Sequence, residues 1–171
     1  MSWSDDAVEA LAAAGVDIVA HLPDSKMGEL IDAVEADDRF ETVLVEREES
    51  AVGVLVGAWL GGTRGALLCQ SSGLANTFNA LGSLAVPARV PFVGLVTRRG
   101  NLGEFNIAQV PAGYNMDELL DDVGVRNTTV TDGAELRETL QLAGESAFST
   151  QSPYVVLLEQ TVTGRKSEAA E

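Results

Sequence analysis

Cysteine, histidine and lysine are scarce in this chain of 171 residues, which contains one cysteine, one histidine and two lysines. A single cysteine excludes an internal disulfide bond and is typical of a reducing compartment. Cys69 ends an apolar run, so we expect a buried thiol rather than a reactive one. With His21 alone, the chain lacks a His-rich metal cluster, and a Ser-His-Asp triad is disfavoured. We expect His21 to be a hydrogen-bonded strand residue and predict no metal ligands in this chain.

Motifs of several common ligand sites are also missing. The chain has no GxGxxG fingerprint, no Gly-Lys-Ser phosphate loop and no G-x-S-x-G nucleophile elbow, which argues against dinucleotide-binding proteins, P-loop enzymes and α/β-hydrolases. Its apolar runs are interrupted by glycine and are shorter than the ~20 residues that a bilayer requires. The acidic N-terminus lacks the basic start of a secretory signal. These features predict a cytoplasmic protein without a membrane span.

Positive charge is in short supply. The chain has 26 acidic residues against 11 lysines and arginines, for a net charge of −15. Such a field repels nucleic acids and anionic membranes, so neither is expected as a partner. Acid excess with few lysines resembles proteins of salt-loving organisms, in which salt screens the self-repulsion. An ordinary acidic cytoplasmic protein is the alternative.

Apolar strand-like runs alternate with helix-like segments along most of the chain. This alternation predicts an α/β fold: a doubly wound, mostly parallel six-stranded sheet with helices on both faces. Residues 1–162 form the predicted domain and residues 163–171 a polar tail. The predicted strands are 17–22, 42–45, 66–69, 92–97, 127–130 and 154–158, and the predicted helices are 4–15, 27–36, 48–60, 74–86, 116–123 and 132–148.

Ligands of such sheets bind beyond the carboxyl ends of the strands. That rule selects four segments, 22–26, 46–49, 70–73 and 97–109. The last of these lies in a long stretch, 98–115, without a regular pattern, and its length favours a functional loop.

Glu48 lies where a run of four charged residues meets a helix-length segment without charge. A helix that is apolar on every side is normally buried, and Glu48 shares a face with Val52, Leu55 and Trp59. A carboxylate there is costly unless it has a partner. The alternative is a simple acidic complement to the helix dipole, which we prefer for Glu46 and Glu49. The residues alone leave both interpretations of Glu48 open.

Residues 70–76, QSSGLAN, follow a strand and open a helix. Free backbone N–H groups at such a position favour an anion or a polar ring. Gly73 permits a close approach of the backbone.

Four segments together resemble one family, the pyrimidine-binding domains of thiamine-diphosphate-dependent decarboxylases that act on sulfopyruvate and phosphonopyruvate. The segments are HLPDSKMGELID, EREESAVG, CQSSGLANTFNALGSL and RRGNLGEFNIAQVPAG. The resemblance covers roughly residues 5–160 and implies a 2-oxo acid decarboxylase, with 3-sulfopyruvate as the best substrate and phosphonopyruvate as the alternative. A non-catalytic cofactor-binding or regulatory module is a further alternative.

The resemblance also implies roles for the strand-end residues. Glu48 would hydrogen-bond N1′ of the cofactor's aminopyrimidine ring and activate the cofactor, while Gln70, Ser71, Ser72 and Gly73 would line the ring's pocket. Asn76 and Asn79 would lie behind that pocket, or serve in ordinary capping and packing.

The substrate side is assigned in the same way. A substrate with a carboxylate and a sulfonate or phosphonate needs cations, which Arg98, Arg99 and Lys26 could supply; the two arginines could instead balance Glu104. Asp24 and Ser25 fall where related enzymes place a substrate-side acid, although Asp24 could equally cap the next helix. The other substrate-binding residue implied by the resemblance is Gln109, facing the reacting carbon.

The family's diphosphate and Mg²⁺ site carries GDG followed by NN, and neither occurs in this chain. The resemblance therefore implies a beta subunit that carries this half of the site and holds Mg²⁺. Trp59 or the helix 74–86 could face that partner, with a place in the core as the alternative for Trp59.

Overall fold

The computed structural model describes residues 2–164, which form one six-stranded sheet. Every pair of neighbouring strands is parallel, and the order across the sheet is β2-β1-β3-β4-β6-β5. The strands are β1 Ile18–His21, β2 Glu41–Leu44, β3 Gly65–Gln70, β4 Val93–Thr97, β5 Arg126–Val130 and β6 Tyr154–Leu158.

The three inner strands that follow β1 across the sheet explain this arrangement. In β4 all five residues are buried, and β3 and β6 are buried except at one end. Strands apolar on both sides need cover on both faces, which helical crossovers between parallel strands provide. The edge strands β2 and β5 contain fewer apolar residues and are more exposed, as expected for strands that have a neighbour on one side only.

Helices cover both faces of the sheet. The first core layer holds α1, α2 and α8, and the second holds α3, α4 and α7. The α-helices are α1 Trp3–Ala13, α2 Gly28–Glu35, α3 Glu48–Leu60, α4 Ser71–Ala75, α5 Phe78–Ala80, α6 Val110–Tyr114, α7 Met116–Val123, α8 Leu136–Thr150 and α9 Gln160–Thr163, with 3₁₀ turns at Ile107–Gln109 and Gly133–Glu135 and a π-turn at Leu81–Ala85. The prediction of a doubly wound α/β fold is confirmed. None of the helices between residues 2 and 164 is long and apolar enough to cross a bilayer.

Several predicted bounds agree with the structure and one helix does not. The bounds of α3, α7 and β6 are those predicted. The single helix predicted over 74–86 is instead α4, α5 and the π-turn. The Thr77 hydroxyl donates to the carbonyl of Leu74, and the Ser83 hydroxyl donates to that of Asn79. Such side-chain bonds to the preceding turn compete with regular helix pairing, which periodicity alone does not reveal.

Two further differences concern segments in which the sequence shows no regular pattern. The segment without a regular pattern contains the 3₁₀ turn and α6, in which Pro111 occupies the first turn, where its missing N–H costs nothing. The short helix α9 crosses the predicted boundary between domain and tail at residue 163. The rest of the predicted tail, residues 165–171, lies outside the described residues.

His21 differs from its expected role. Its side chain is 3% exposed, and neither ring nitrogen has a hydrogen-bond partner. Nε2 lies 3.3 Å from a carboxylate oxygen of Glu35 without hydrogen-bond geometry. Burial lowers the pKa of His21, although the Glu35 charge opposes that shift. The expectation of a hydrogen-bonded strand residue was therefore wrong: α2 covers the imidazole without offering it an aligned acceptor.

Candidate functional site

Glu48 is the only buried residue of the charged run 46–49. It is the first residue of α3 and is 6% exposed, whereas Glu49 faces outward and pairs with Arg47 at 2.9 Å. Ala51, Val52 and Leu55 anchor the helix on the sheet, and this packing carries the Glu48 side chain inward. The two adjacent glutamates thus occupy different environments, as their positions around a helix predict.

The Glu48 carboxylate lies against the start of α4. A Cβ at position 73 would be 2.0 Å from Oε1, so a side chain there would displace this carboxylate. The other oxygen, Oε2, accepts a hydrogen bond from Asn76 Nδ2 at 3.3 Å. Asn76 therefore contacts the Glu48 carboxylate. Asn79, the other asparagine implied by the resemblance, is exposed, and its backbone carbonyl accepts a hydrogen bond from Ser83.

Gln70 and Ser71 lie where β3 meets α4. The side-chain oxygen of Gln70 is buried and has no hydrogen-bond partner, which leaves an acceptor available to a donor group. Ser71 Oγ accepts from the backbone N–H of Arg99 at 3.0 Å, and Ser72 Oγ donates to Gln109 Oε1 at 2.9 Å. Both serines thus join the start of α4 to the loop after β4.

Cys69 lies in β3, directly before Gln70. It is fully buried, and burial raises the pKa of its thiol, with a further rise from the negative charges of Glu48 and Asp24. The thiol is therefore held in its neutral form, as expected of an unreactive core cysteine.

Asp24 joins the first loop to the sheet. Its Oδ2 accepts from the backbone N–H of Lys26 at 3.0 Å and from the hydroxyl of Thr97, at the end of β4, at 3.3 Å. Asp24 thus organises the turn before α2 and holds that turn over the carboxyl ends of the strands. Ser25 is exposed and Lys26 is half-buried.

Arg98 is buried, and all three of its guanidinium nitrogens contact protein acceptors. Nε donates to the Gly113 carbonyl at 3.1 Å, and Nη2 donates to the Tyr114 carbonyl and to Asp117 at 3.0 Å. Nη1 lies 3.5 Å from a carboxylate oxygen of Glu159. These contacts favour a role for Arg98 in holding the loop to α7 and β6, and its role in substrate binding stays a prediction.

Arg99 is likewise occupied. Its Nε and Nη2 donate to the two carboxylate oxygens of Glu104 at 2.7 and 2.9 Å. Hydrogen bonds from Arg99, and then from the N–H groups of Asn106 and Gly100, lower the pKa of Glu104 to about 2. The same pairing raises the pKa of Arg99. The alternative prediction, that Arg99 pairs with Glu104 on the surface, names the correct partner. The pair is buried, however, with side chains 8% and 2% exposed.

The strand-end segments therefore converge: Glu48, Gln70, Ser71, Ser72, Gly73, Asp24 and Gln109 line one edge of the sheet. In residues 2–164, no three His, Cys, Asp or Glu side chains form a metal-binding cluster. Sequence analysis missed Glu159 and Gln160, both buried. Glu159 directly follows β6, so applying the strand-end rule to the last strand would have selected it.

Known families and proteins resemble this chain over most of its length. The model of the family described as pyruvate flavodoxin/ferredoxin oxidoreductase, thiamine diphosphate-binding, matches residues 9–171. The alpha subunit of sulfopyruvate decarboxylase from Methanococcus maripaludis is 32% identical over 159 residues, which cover 93% of this chain and 95% of that subunit. This chain belongs to that thiamine-diphosphate-binding family. A phosphonopyruvate decarboxylase of Streptomyces hygroscopicus is 41% identical over 167 residues, which cover 95% of this chain and 41% of that protein.

A solved structure supports the fold. The 2-oxoglutarate:ferredoxin oxidoreductase of Magnetococcus marinus, with 2-oxoglutarate, coenzyme A and succinyl-CoA bound, superposes with a TM-score of 0.78 at 16% identity. The match covers 98% of this chain and 31% of that chain. At this identity, the likeness concerns the architecture of the sheet and its helices.

Proposed function

We propose that this chain is the alpha subunit of a two-subunit, thiamine-diphosphate-dependent decarboxylase that converts 3-sulfopyruvate to sulfoacetaldehyde and CO₂. The single observation that carries the proposal is the buried Glu48 carboxylate, held at the start of α3 against the bare backbone of Gly73. A surface cap for the helix would not need burial, and Glu49 beside it shows how such an acid is placed.

The residues present fit the aminopyrimidine end of the cofactor. Gly73 leaves no side chain beside Glu48, and the unpartnered oxygen of Gln70 could accept a hydrogen bond from an amino group. Thiamine diphosphate supplies, when bound, a carbon nucleophile that also accepts the electron pair left behind by CO₂. Glu48 would share a proton through its carboxylate with a ring nitrogen, and burial strengthens that hydrogen bond. Ser71 and Ser72 would shape the pocket while they hold the loop after β4.

Lys26 is the cation that we favour for binding the acidic substrate. Arg98 and Arg99 contact carboxylates within the chain, whereas Lys26 makes no ion pair in the part of the chain that the structure describes. We propose that Lys26 binds the sulfonate or carboxylate group, with Asp24, Ser25 and Gln109 around the reacting carbon. Arg98 and Arg99 would then act on the substrate through the loop that they hold.

The relatives support sulfopyruvate over phosphonopyruvate. Several of the similar proteins are sulfopyruvate decarboxylases or their alpha subunits, among them the Methanococcus maripaludis subunit that this chain covers to 95%. Phosphonopyruvate stays the alternative substrate because the decarboxylase of Streptomyces hygroscopicus is 41% identical.

A beta subunit would complete the site. We propose that it carries the GDG…NN diphosphate segment and holds Mg²⁺. Two apolar surfaces of this chain support such a partner: the outer face of α3, with Leu60 79% exposed, and the loop after β4, with Leu102 and Ile107 70% and 81% exposed. Both adjoin elements that carry the proposed site. Trp59 is a weaker candidate for this contact because its ring stacks on Phe148 at 6.4 Å.

The composition of the chain supports two further proposals about the setting of the protein. A net charge of −15 with two lysines is consistent with a salt-rich cytoplasm, in which counterions screen the repulsion. The single, buried Cys69 is compatible with a reducing compartment.

The test is decarboxylation by the chain co-expressed with a beta subunit that carries GDG and NN. Release of CO₂ and of the aldehyde would be measured with sulfopyruvate, phosphonopyruvate and pyruvate. Glu48→Gln should lower kcat about 100-fold or more because it removes the proton-sharing group. The matched control, Glu49→Gln, alters the exposed neighbour and should leave kcat within about twofold.

Two results would contradict the proposal. Near-normal activity of Glu48→Gln would remove Glu48 from the chemistry. Tight binding of thiamine diphosphate with Mg²⁺ by this chain alone would remove the need for a divided site. Cofactor binding by the complex without turnover of any 2-oxo acid would instead support the non-catalytic module.

A further inference from the structure

The carboxylate of Glu104 collects an unusual number of donors for a loop residue. Its side chain is 2% exposed, and its two oxygens accept six hydrogen bonds. The donors are Arg99 Nε at 2.7 Å and Nη2 at 2.9 Å, the backbone N–H groups of Gly100, Phe105 and Asn106 at 3.1, 3.1 and 3.0 Å, and Gln160 Nε2 at 3.3 Å.

Five of these six donors belong to the same loop, so the backbone of residues 99–106 folds around this one side chain. Gln160, after β6, attaches the carboxylate to the sheet edge. Loss of the carboxylate would leave three backbone N–H groups and a buried guanidinium without their acceptor. The guanidinium of Arg99 and the N–H of Gly100 are part-buried, and such donors are costly to leave without an acceptor, so the shape of the loop depends on Glu104.

One path of hydrogen bonds runs from Glu104 to the candidate site. Asn106, whose N–H binds Glu104, caps the 3₁₀ turn by accepting from the N–H of Ala108 at 3.0 Å. The N–H of Gln109 donates to the carbonyl of Asn106 at 3.0 Å. The Gln109 side chain then accepts from Ser72 Oγ at 2.9 Å.

A second path runs back to the residue next to Ser72. Arg99 binds Glu104 through its side chain and Ser71 Oγ through its backbone N–H. The two legs of the loop also touch, since a Cβ at Gly100 would lie 2.4 Å from the Gln109 carbonyl oxygen. The two paths therefore form a closed ring of contacts that begins at Ser71, passes through Glu104 and ends at Ser72.

We propose that Glu104 is a positioning residue whose carboxylate folds residues 99–109 so that the Gln109 side chain is held against Ser72 at the proposed active site. It acts through Gln109 and touches neither substrate nor cofactor. The inference rests on the proposed function, which supplies the reaction in which Gln109 takes part.

The kinetic test uses the assembled two-subunit complex and a double-mutant cycle. Glu104→Gln and Gln109→Ala should each lower kcat/KM for the 2-oxo acid by about tenfold or more, and the double variant should be no worse than Gln109→Ala, because residues that act as one unit are not additive. Glu104→Asp, which keeps the charge, should recover part of the loss. Losses that multiply in the double variant, or a Glu104→Gln value within twofold of the unsubstituted complex, would overturn the proposal.

Hydrogen exchange of the same complexes provides a readout that does not need turnover. In Glu104→Gln, peptides covering residues 99–110 should exchange at least about tenfold faster, while peptides covering β3 stay unchanged. The control is Glu9→Gln, which removes a carboxylate paired with Arg39 at 2.7 Å on the exposed surface of α1 and should leave the loop unchanged. Unchanged exchange in the loop, or faster exchange throughout β3, would overturn the proposal. A complex that decarboxylates no 2-oxo acid would overturn the proposed function alone, since the exchange result still decides the role of Glu104.

Discussion

Gly73 and Glu48 form a matched pair in which one residue provides the carboxylate and the other provides the space for it. The carboxylate oxygen occupies the volume that a side chain at position 73 would need. The same closeness places the backbone of α4 beside the proposed ring-binding position. The chemistry proposed for Glu48 therefore depends on a residue that has no side chain.

We predict that Gly73→Ala lowers decarboxylase activity of the complex about 100-fold, because the new methyl group displaces the Glu48 carboxylate. Gly28→Ala is the control, since a Cβ at Gly28 would contact nothing within 4 Å. Steady-state kinetics with thermal unfolding checks the prediction. If Gly73→Ala kept more than half of the activity, the Glu48 side chain could not be held as described.

His21 makes the stability of the protein depend on pH. Its folded pKa lies below the ordinary value of 6.5 because of burial, so the unfolded state binds the proton more readily. The contribution of His21 to the free energy of unfolding should be fully present above about pH 6.5. It should fall, by at most ~1.4 kcal/mol per pH unit, as the pH decreases below that value. His21→Leu should lose this component. Urea unfolding of both proteins at pH 8 and pH 5.5 checks it, and an equal loss in both would show that other groups are responsible.

The helix α3 has two different surfaces despite its uniform composition. Its inner face anchors the sheet with Ala51, Val52 and Leu55, whereas Gly53, Gly57 and Leu60 are exposed. Burial on every side, expected from the sequence, is thus only partly observed within this chain. An exposed apolar face on the helix that begins with Glu48 is the kind of surface that an obligate partner covers.

We predict that Leu60→Glu weakens assembly with the beta subunit by about 2 kcal/mol, roughly thirtyfold in Kd, because a charge would be buried at the contact. Leu142→Glu is the control, since Leu142 is 53% exposed on α8, which covers the other face of the sheet. Analytical ultracentrifugation of each variant with the beta subunit measures the affinity. Equal weakening by both substitutions would argue against α3 as the specific contact.

The charge of the whole molecule opposes its own folding. A net charge of −15 on 171 residues produces repulsion that is strongest at low ionic strength. Several of the few basic residues, including Arg98 and Arg99, form ion pairs with acidic residues of the same chain. The repulsion that remains acts over the whole surface and is open to screening by salt.

We predict that raising KCl from about 0.1 M to about 1 M increases the melting temperature by several degrees, because the screening length falls from ~10 Å to ~3 Å. An uncharged osmolyte at equal osmolality is the control for general exclusion effects. Differential scanning calorimetry measures both. A melting temperature that is unchanged or lower in KCl would contradict a salt-adapted surface.

Local patterns were sufficient for most of the secondary structure and for the segments that meet at the sheet edge. The uncharged run after Glu48 and the apolar run after Pro91 gave clear signals because consecutive residues show whether a helix or a strand is buried. The strand-end rule selected Gln70 to Gly73 and Gln109 for the same reason. Periodicity failed where hydroxyl side chains interrupt a helix, as at Thr77, because that competition depends on hydrogen-bond geometry.

The chain by itself thus determined its layered architecture and the place of Glu48 at the start of an apolar helix, since both follow from periodicity and apolar content. Only the folded arrangement assigned the arginines to internal carboxylates and made Glu104 the centre of a loop. Those partners come from segments distant along the chain, and the order of strands across the sheet, which periodicity does not encode, brings them together.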